Sequence, residues 1–204
     1  MAELENPSVM PKIISFLSNL LQRVAETNDL NPTFRTHKVT VFHGLTIPTI
    51  SIQSYLERIF NYANCSPSCF VVAYIYLDRF SQKQPFLPIS SFNVHRLLIT
   101  SVLISAKFMD DIFYNNAFYA KVGGISTMEM NLLELDFLFG VGFELNVTPT
   151  TFYMYFSHIQ REIMLGSPPL YLEPSSSSSA TNNLHRCINE DESSPPHQHQ
   201  LAAV

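Results

Sequence analysis

Apolar positions recur along the chain at steps of three and four rather than two, so the regular signal is helical almost throughout. Residues 12–27 set Ile13, Phe16, Leu17, Leu20, Leu21 and Val24 on one stripe and predict an amphipathic helix. Residues 28–48, with Asn31-Pro32, His43-Gly44 and Ile47-Pro48, predict a connector. Five helical segments then follow closely. The first, about 51–63, carries Ile52, Tyr55, Leu56, Ile59 and Phe60 on one face. The second, about 67–81, opens on Ser66-Pro67, a capping serine with proline at the first helical position, and its run from Phe70 to Leu77 has almost no polar side. The third, about 91–109, is more apolar still, with Val94, Leu97, Leu98, Ile99, Val102, Leu103, Ile104 and Phe108; small residues Ser101, Ser105 and Ala106 mark where neighbours approach closely. A helix apolar nearly all round belongs at the centre of a bundle. The fourth, about 115–122, ends at Gly123-Gly124, and the fifth, about 126–139, opens on the capping box Ser126…Glu129. Gly140 and Gly142 stop it, and Thr148-Pro149 starts a further helix to about 163.

The expected fold class is therefore all-α. An N-terminal helix and connector (1–48) precede a five-helix unit with a buried central helix (49–145), and a trailing helix follows (146–165). From 166 to 204 the composition changes abruptly to a five-serine run, Pro-Pro pairs, and Asn, Gln and His with few apolar anchors, which predicts a disordered C-terminal tail.

Charge narrows the function classes. A formal net charge of −5 without a Lys/Arg cluster argues against nucleic acid as the main ligand. Charged residues make up 14% of the chain, against about 25% in ordinary soluble domains, and an uncharged surface points to a covering partner. The acidic start and the absence of a long apolar run predict an intracellular protein, nuclear and/or cytoplasmic, neither secreted nor membrane-bound. Three cysteines without CxxC spacing fit a reducing compartment, and Cys65 and Cys69 read as buried small hydrophobes rather than ligands.

Catalytic constellations are missing: there is no phosphate-binding glycine loop, the histidines stand singly, and Asp110-Asp111 reads as a solvated loop. No catalytic residue, metal or cofactor is expected. Lys107 is the exception to a bland reading. It lies on the last turn of the most apolar helix, where a cation is costly unless it snorkels or finds a partner. One reading is that it relieves the helix's orphan carbonyls. The other pairs it with Glu134, equally odd within Leu132-Leu133-Glu134-Leu135, at the centre of an apolar docking surface formed by Ile104, Phe108, Leu138, Phe143 and Leu145.

Four stretches, in order, resemble the cyclin box: Tyr74-Ile75-Tyr76-Leu77-Asp78-Arg79-Phe80, Ser105-Ala106-Lys107-Phe108-Met109-Asp110-Asp111, Leu133-Glu134-Leu135-Asp136-Phe137-Leu138 and Phe143-Glu144-Leu145. Residues 51–145, about half the chain, are more closely similar to the plant U-type (P-type) cyclins, which are themselves similar to the yeast phosphate-signalling cyclin. The resemblance implies a single cyclin box of five helices and no enzymatic activity of its own. It implies a regulatory subunit that binds and activates a cyclin-dependent kinase as a heterodimer, in cell division or nutrient signalling. It also implies that Lys107 and Glu134 hydrogen-bond the kinase backbone, with Ile104, Phe108, Leu138, Phe143 and Leu145 against the kinase's regulatory helix.

Several features depart from the mitotic members. The stretch Thr49-Ile50-Ser51-Ile52-Gln53 lacks the Arg and Trp of their substrate-docking patch, and Asp78 lacks its usual arginine, for which Arg58 is the candidate replacement. The alternative function is a kinase-independent helical adaptor like the cyclin-box repeats of general transcription factors, although those come in pairs with basic surfaces. In the tail, Ser167-Pro168 and Ser194-Pro195 offer Ser167 and Ser194 as phosphosites for a proline-directed kinase.

Overall fold

The computed structural model describes residues 8–31 and 39–165, and among these the apolar stripes fold into seven helices and no strand. They are α1 (Val9–Leu30), α2 (Ile52–Tyr62), α3 (Ser68–Lys83), α4 (Val94–Met109), α5 (Asn116–Gly123), α6 (Thr127–Gly140) and α7 (Pro149–Leu165). The five segments predicted between 51 and 139 correspond to α2–α6, with α1 before them and α7 after. The predicted disordered tail and its Ser167 and Ser194 lie outside the described residues.

Helix α1 runs further at both ends than its stripe predicts. Its last turn is tied down by polar groups: Asn28 Nδ2 donates to the Ile89 carbonyl at 2.8 Å, and the Asp29 carboxylate accepts from Ser91 N. The N-terminus of α6 carries the predicted capping box, and Glu129 also accepts from Arg96 of α4 at 2.7 Å.

The core is built on α3 and α4 together. Every residue of α4 from Leu97 to Ala106 is buried, as is every residue of α3 from Cys69 to Asp78. Helix α4 packs against α2, α3, α5 and α6, and α3 is covered on other sides by α6 and α7. The polar residues of α4 satisfy themselves: Thr100, Ser101 and Ser105 donate to the carbonyls of Arg96, Leu98 and Val102. That short-circuit lets a helix with three hydroxyls sit in a dry interior.

Asp78, fully buried, accepts from Gln82 Nε2 at 2.9 Å and from the Tyr155 hydroxyl of α7. Arg58, the candidate partner, instead donates to the Lys121 carbonyl at 3.3 Å, because it lies on the exposed face of α2 toward α5. Tyr155 keeps its proton firmly, since burial and then the neighbouring carboxylate both push its pKa up.

Gly140 closes α6 for a packing reason. A Cβ there would lie 2.3 Å from Cε2 of Phe80, whose ring is stacked on Phe137 at 4.8 Å and cannot retreat. Gly140→Ala is expected to destabilise the fold by about 1–3 kcal/mol through overpacking, read from denaturant titration. A second expectation concerns pH. His95 is buried, its Nε2 meets the Ile50 carbonyl at 2.9 Å, and burial holds its pKa below the ordinary 6.5. The unfolded chain therefore takes up a proton that the folded chain refuses. Stability contributed here is complete above about pH 6.5 and is lost as pH falls below it. The thermal midpoint should drop more steeply between about pH 7 and 5.5 in the native chain than in His95→Gln.

Candidate functional site

The last turn of α4 carries the chain from the core to the surface. Ala106 is buried, Lys107 is partly exposed, and Phe108 and Met109 face solvent. Lys107 Nζ lies 2.7 Å from Glu134 Oε1 on α6, the two side chains being 29% and 19% exposed. The second Glu134 oxygen accepts from Asn116 Nδ2 at 2.7 Å, and the same amide nitrogen lies 2.8 Å from Asn131 Oδ1. Asn116 is the first residue of α5, whose N-cap Asn115 accepts from Phe118 N. Three helices thus converge on one carboxylate, and both its oxygens are engaged. Asn116 belongs to this site although periodicity did not single it out; a polar residue beside a helix cap looks like ordinary capping.

Several apolar residues are exposed on the end of α4, on α6 and on the turn after it. Phe108, Met109, Leu132, Leu135, Phe139 and Phe143 are exposed, and Leu138 and Leu145 are half-buried. Ile104 differs from its prediction: at 2% exposure it lies beneath the surface as a support, because one turn before Lys107 the helix is still inside the core. Of the others, Phe108 and Phe143 are exposed and Leu138 and Leu145 half-buried.

Phe143 sits on the turn after α6 in a left-handed conformation (φ 57°), directly after Gly142 (φ 62°). For a residue with a β-carbon this costs about 1–2 kcal/mol. The turn is held by its own bonds, Gly142 N to Phe139 O and Phe143 N to Leu138 O, and by side chains of α3 and of its C-cap residue Gln84. Tyr76 donates to the Leu145 carbonyl at 2.7 Å, Arg79 to Glu144 O at 2.7 Å, Lys83 to Val141 O at 3.0 Å and Gln84 to Gly140 O at 3.2 Å. Lys83 also pairs with the Glu144 carboxylate at 2.7 Å and holds that carboxyl below the usual range. The Phe143 ring then stands edge-on to Phe139, 5.2 Å away. The clamp was missed from sequence, yet a signal exists: residues 76, 79 and 83 share one face of a helix.

Asp110 is not the solvated loop residue expected. It follows α4 directly and accepts from Ser66 N at 2.9 Å, Ser66 Oγ at 2.6 Å and Cys69 Sγ at 3.4 Å, tying the end of α4 to the α2–α3 turn. Asp111 is exposed. Among the described residues no group of His, Cys, Asp or Glu side chains is arranged to hold a metal ion, and no helix is long and apolar enough to cross a membrane. What the arrangement presents is a part-buried ion pair on α4 and α6, together with large apolar side chains exposed on the same two helices and the turn after α6.

The sequence model of the cyclin family matches residues 12–145, taking in most of α1 as well as α2–α6. The chain is 67% identical to Cyclin-U4-1 of Arabidopsis thaliana over 203 residues, which cover 98% of each chain. It is 58% identical to Cyclin-U4-3 of the same plant, over 99% of this chain and 94% of that one. To Cyclin-P4-1 of Oryza sativa subsp. japonica it is 58% identical over 81% of each.

The clamp on the Phe143 turn can be tested without any partner. Replacing Arg79 and Lys83 together by Ala should speed amide exchange at residues 142–145 and leave the protection of α4 and α6 unchanged. Both groups are solvent-accessible, so global stability should fall by no more than about 1–2 kcal/mol.

Proposed function

The chain belongs to the cyclin family, in its plant U- and P-type branch, and from that premise we propose that it is the non-catalytic regulatory subunit of a cyclin-dependent protein kinase. It binds the kinase as a heterodimer through the face centred on Lys107 and Glu134. The observation that carries this reading is the half-buried ion pair between α4 and α6, with Phe108 exposed on the first helix, Leu135 and Phe139 on the second and Phe143 on the turn after it. A surface of this composition is unfavourable in water and becomes favourable when a complementary apolar helix covers it.

In this reading the pair supplies direction and the apolar side chains supply affinity. Lys107 uses one N–H on Glu134 and keeps others for a backbone carbonyl of the kinase; Glu134, fixed from both sides, presents its remaining lone pairs to a kinase N–H. Docking favours the kinase state in which the regulatory αC helix is turned inward. The αC glutamate then reaches the strand lysine that orients ATP phosphates, and the activation loop leaves the substrate cleft. The cyclin contributes differential affinity for that conformation and no reacting group. The pair acts in cell division or nutrient signalling, in the nucleus or cytoplasm.

The test is a binding and activation assay with cyclin-dependent kinases recovered from the native tissue. Lys107→Ala or Glu134→Ala should each weaken binding by about 2–5 kcal/mol, mainly through faster dissociation. Asn116→Ala should weaken it in the same sense but less, because it only steers Glu134. The thermal midpoint of Lys107→Ala should barely move, since in the free chain the ammonium reaches water. Unchanged affinity with a large loss of stability would return the pair to a purely structural role.

A further inference from the structure

Two of the described residues carry a hydroxyl directly before proline, the local pattern that proline-directed protein kinases accept: Ser66-Pro67 and Thr148-Pro149. The fold treats them oppositely. Ser66 is half-buried, its Oγ donates to Asp110 Oδ1 at 2.6 Å and its amide donates to the same carboxylate, so that hydroxyl is committed inside the α2–α3 turn. Thr148 is exposed, and so is Pro149. We propose that Thr148 is a phosphorylation site for a proline-directed kinase, and that its phosphate caps α7.

A kinase takes its substrate as extended chain, so the backbone around the hydroxyl must be free to enter a cleft. Residues 144–148 meet that requirement, running without helix or strand from the turn after α6 to the start of α7. Glu144, Asn146 and Thr148 are exposed while Leu145 and Val147 are half-buried, the alternation of an extended segment. Among the described residues, the amides of Asn146, Val147 and Thr148 donate to no backbone carbonyl. Only the first turn of α7 has to open for the site to be gripped, and helix ends fray at little cost. In the transfer, Thr148 Oγ1 attacks the γ-phosphorus of ATP and the bond from that phosphorus to the β-bridging oxygen breaks. ADP leaves, and the hydroxyl proton passes to the kinase's catalytic aspartate.

The product suits the place where it forms. Thr148 Oγ1 accepts from Thr151 N at 3.1 Å, and α7 has no acid in its first turn, whereas α6 has Glu129 there. A phosphate would bring about −1.5 to −2 charges to that end, where the helix dipole and the free amides favour an anion. The nearest acid along the chain is Glu144, and its carboxylate is already paired with Lys83 at 2.7 Å. Helix α7 packs against α1 and α3 and buries Tyr155, Phe156 and Ile159, so the phosphate firms the start of a helix that covers the core.

The test incubates the full chain with ATP and a purified mitogen-activated protein kinase, a proline-directed enzyme, beside a Ser-Pro peptide that reports its activity. Cleavage after glutamate releases residues 145–162, in which fragment masses separate Thr148 from Thr150, Thr151 and Ser157. The expected result is one phosphate in that peptide, on Thr148. It should still form in Thr148→Ser and be lost in Pro149→Ala, which leaves the hydroxyl in place. An unmodified Thr148 while the reporter peptide is phosphorylated, or a phosphate on Thr150 or Thr151 instead, would overturn the proposal. Capping is read separately by hydrogen exchange on the modified chain. The amides of Thr151 and Phe152 should exchange about two- to fivefold more slowly, the factor expected for a negative charge at a helix N-terminus. Equal or faster exchange would refute the cap. Neither readout involves the face around Lys107 and Glu134, so failure of the docking reading would leave both results standing.

Discussion

A lysine on the last turn of a buried helix sets the terms for the docking side of the molecule. Helix α4 is dry from Leu97 to Ala106, and the ammonium of Lys107 arrives immediately afterwards. Left in an apolar rim, that charge would cost several kcal/mol. Its position therefore demands a carboxylate, and Glu134 must come from α6 at the right height. Glu134 needs orientation in turn, which Asn116 of α5 gives, and the end of α4 needs fixing, which Asp110 and the α2–α3 turn give. The helices α4, α5 and α6, already brought together by the core, thus meet at one carboxylate beside this cation.

The turn after α6 is likewise held in shape within the free chain. Phe143 occupies a left-handed conformation that its own side chain disfavours, and three α3 side chains, with Gln84 just after the helix, bond to the segment around it. A turn fixed in this way loses little freedom on binding, so more of the apolar contact appears as affinity. Helix α3 is thus both half of the core and the scaffold for the surface.

Sequence periodicity reported the existence and order of the helices well, because stripes such as Ile13-Phe16-Leu17-Leu20 and caps such as Ser126…Glu129 are local. It reported the oddness of Lys107 and Glu134 for the same reason: each is a charge inside an apolar run. It failed on depth and on long-range polar partners. Ile104 has the same local pattern as an exposed contact residue, and only packing of neighbouring helices buries it. Asp78 meets Tyr155, 77 positions away, and nothing near Asp78 in the chain distinguishes that partner from Arg58. Asp110 looked solvated because its ligands, Ser66 and Cys69, come from another turn.

The central claim is that Lys107 and Glu134 act as one unit toward the kinase, and a double-mutant cycle on kinase affinity tests it most directly. Lys107→Ala, Glu134→Ala and the double variant would be compared by dissociation rate against the native chain. If the pair is one unit, the double variant loses little more than either single variant, a coupling on the order of 2 kcal/mol or more. Losses that simply add would show two independent contacts and contradict the account.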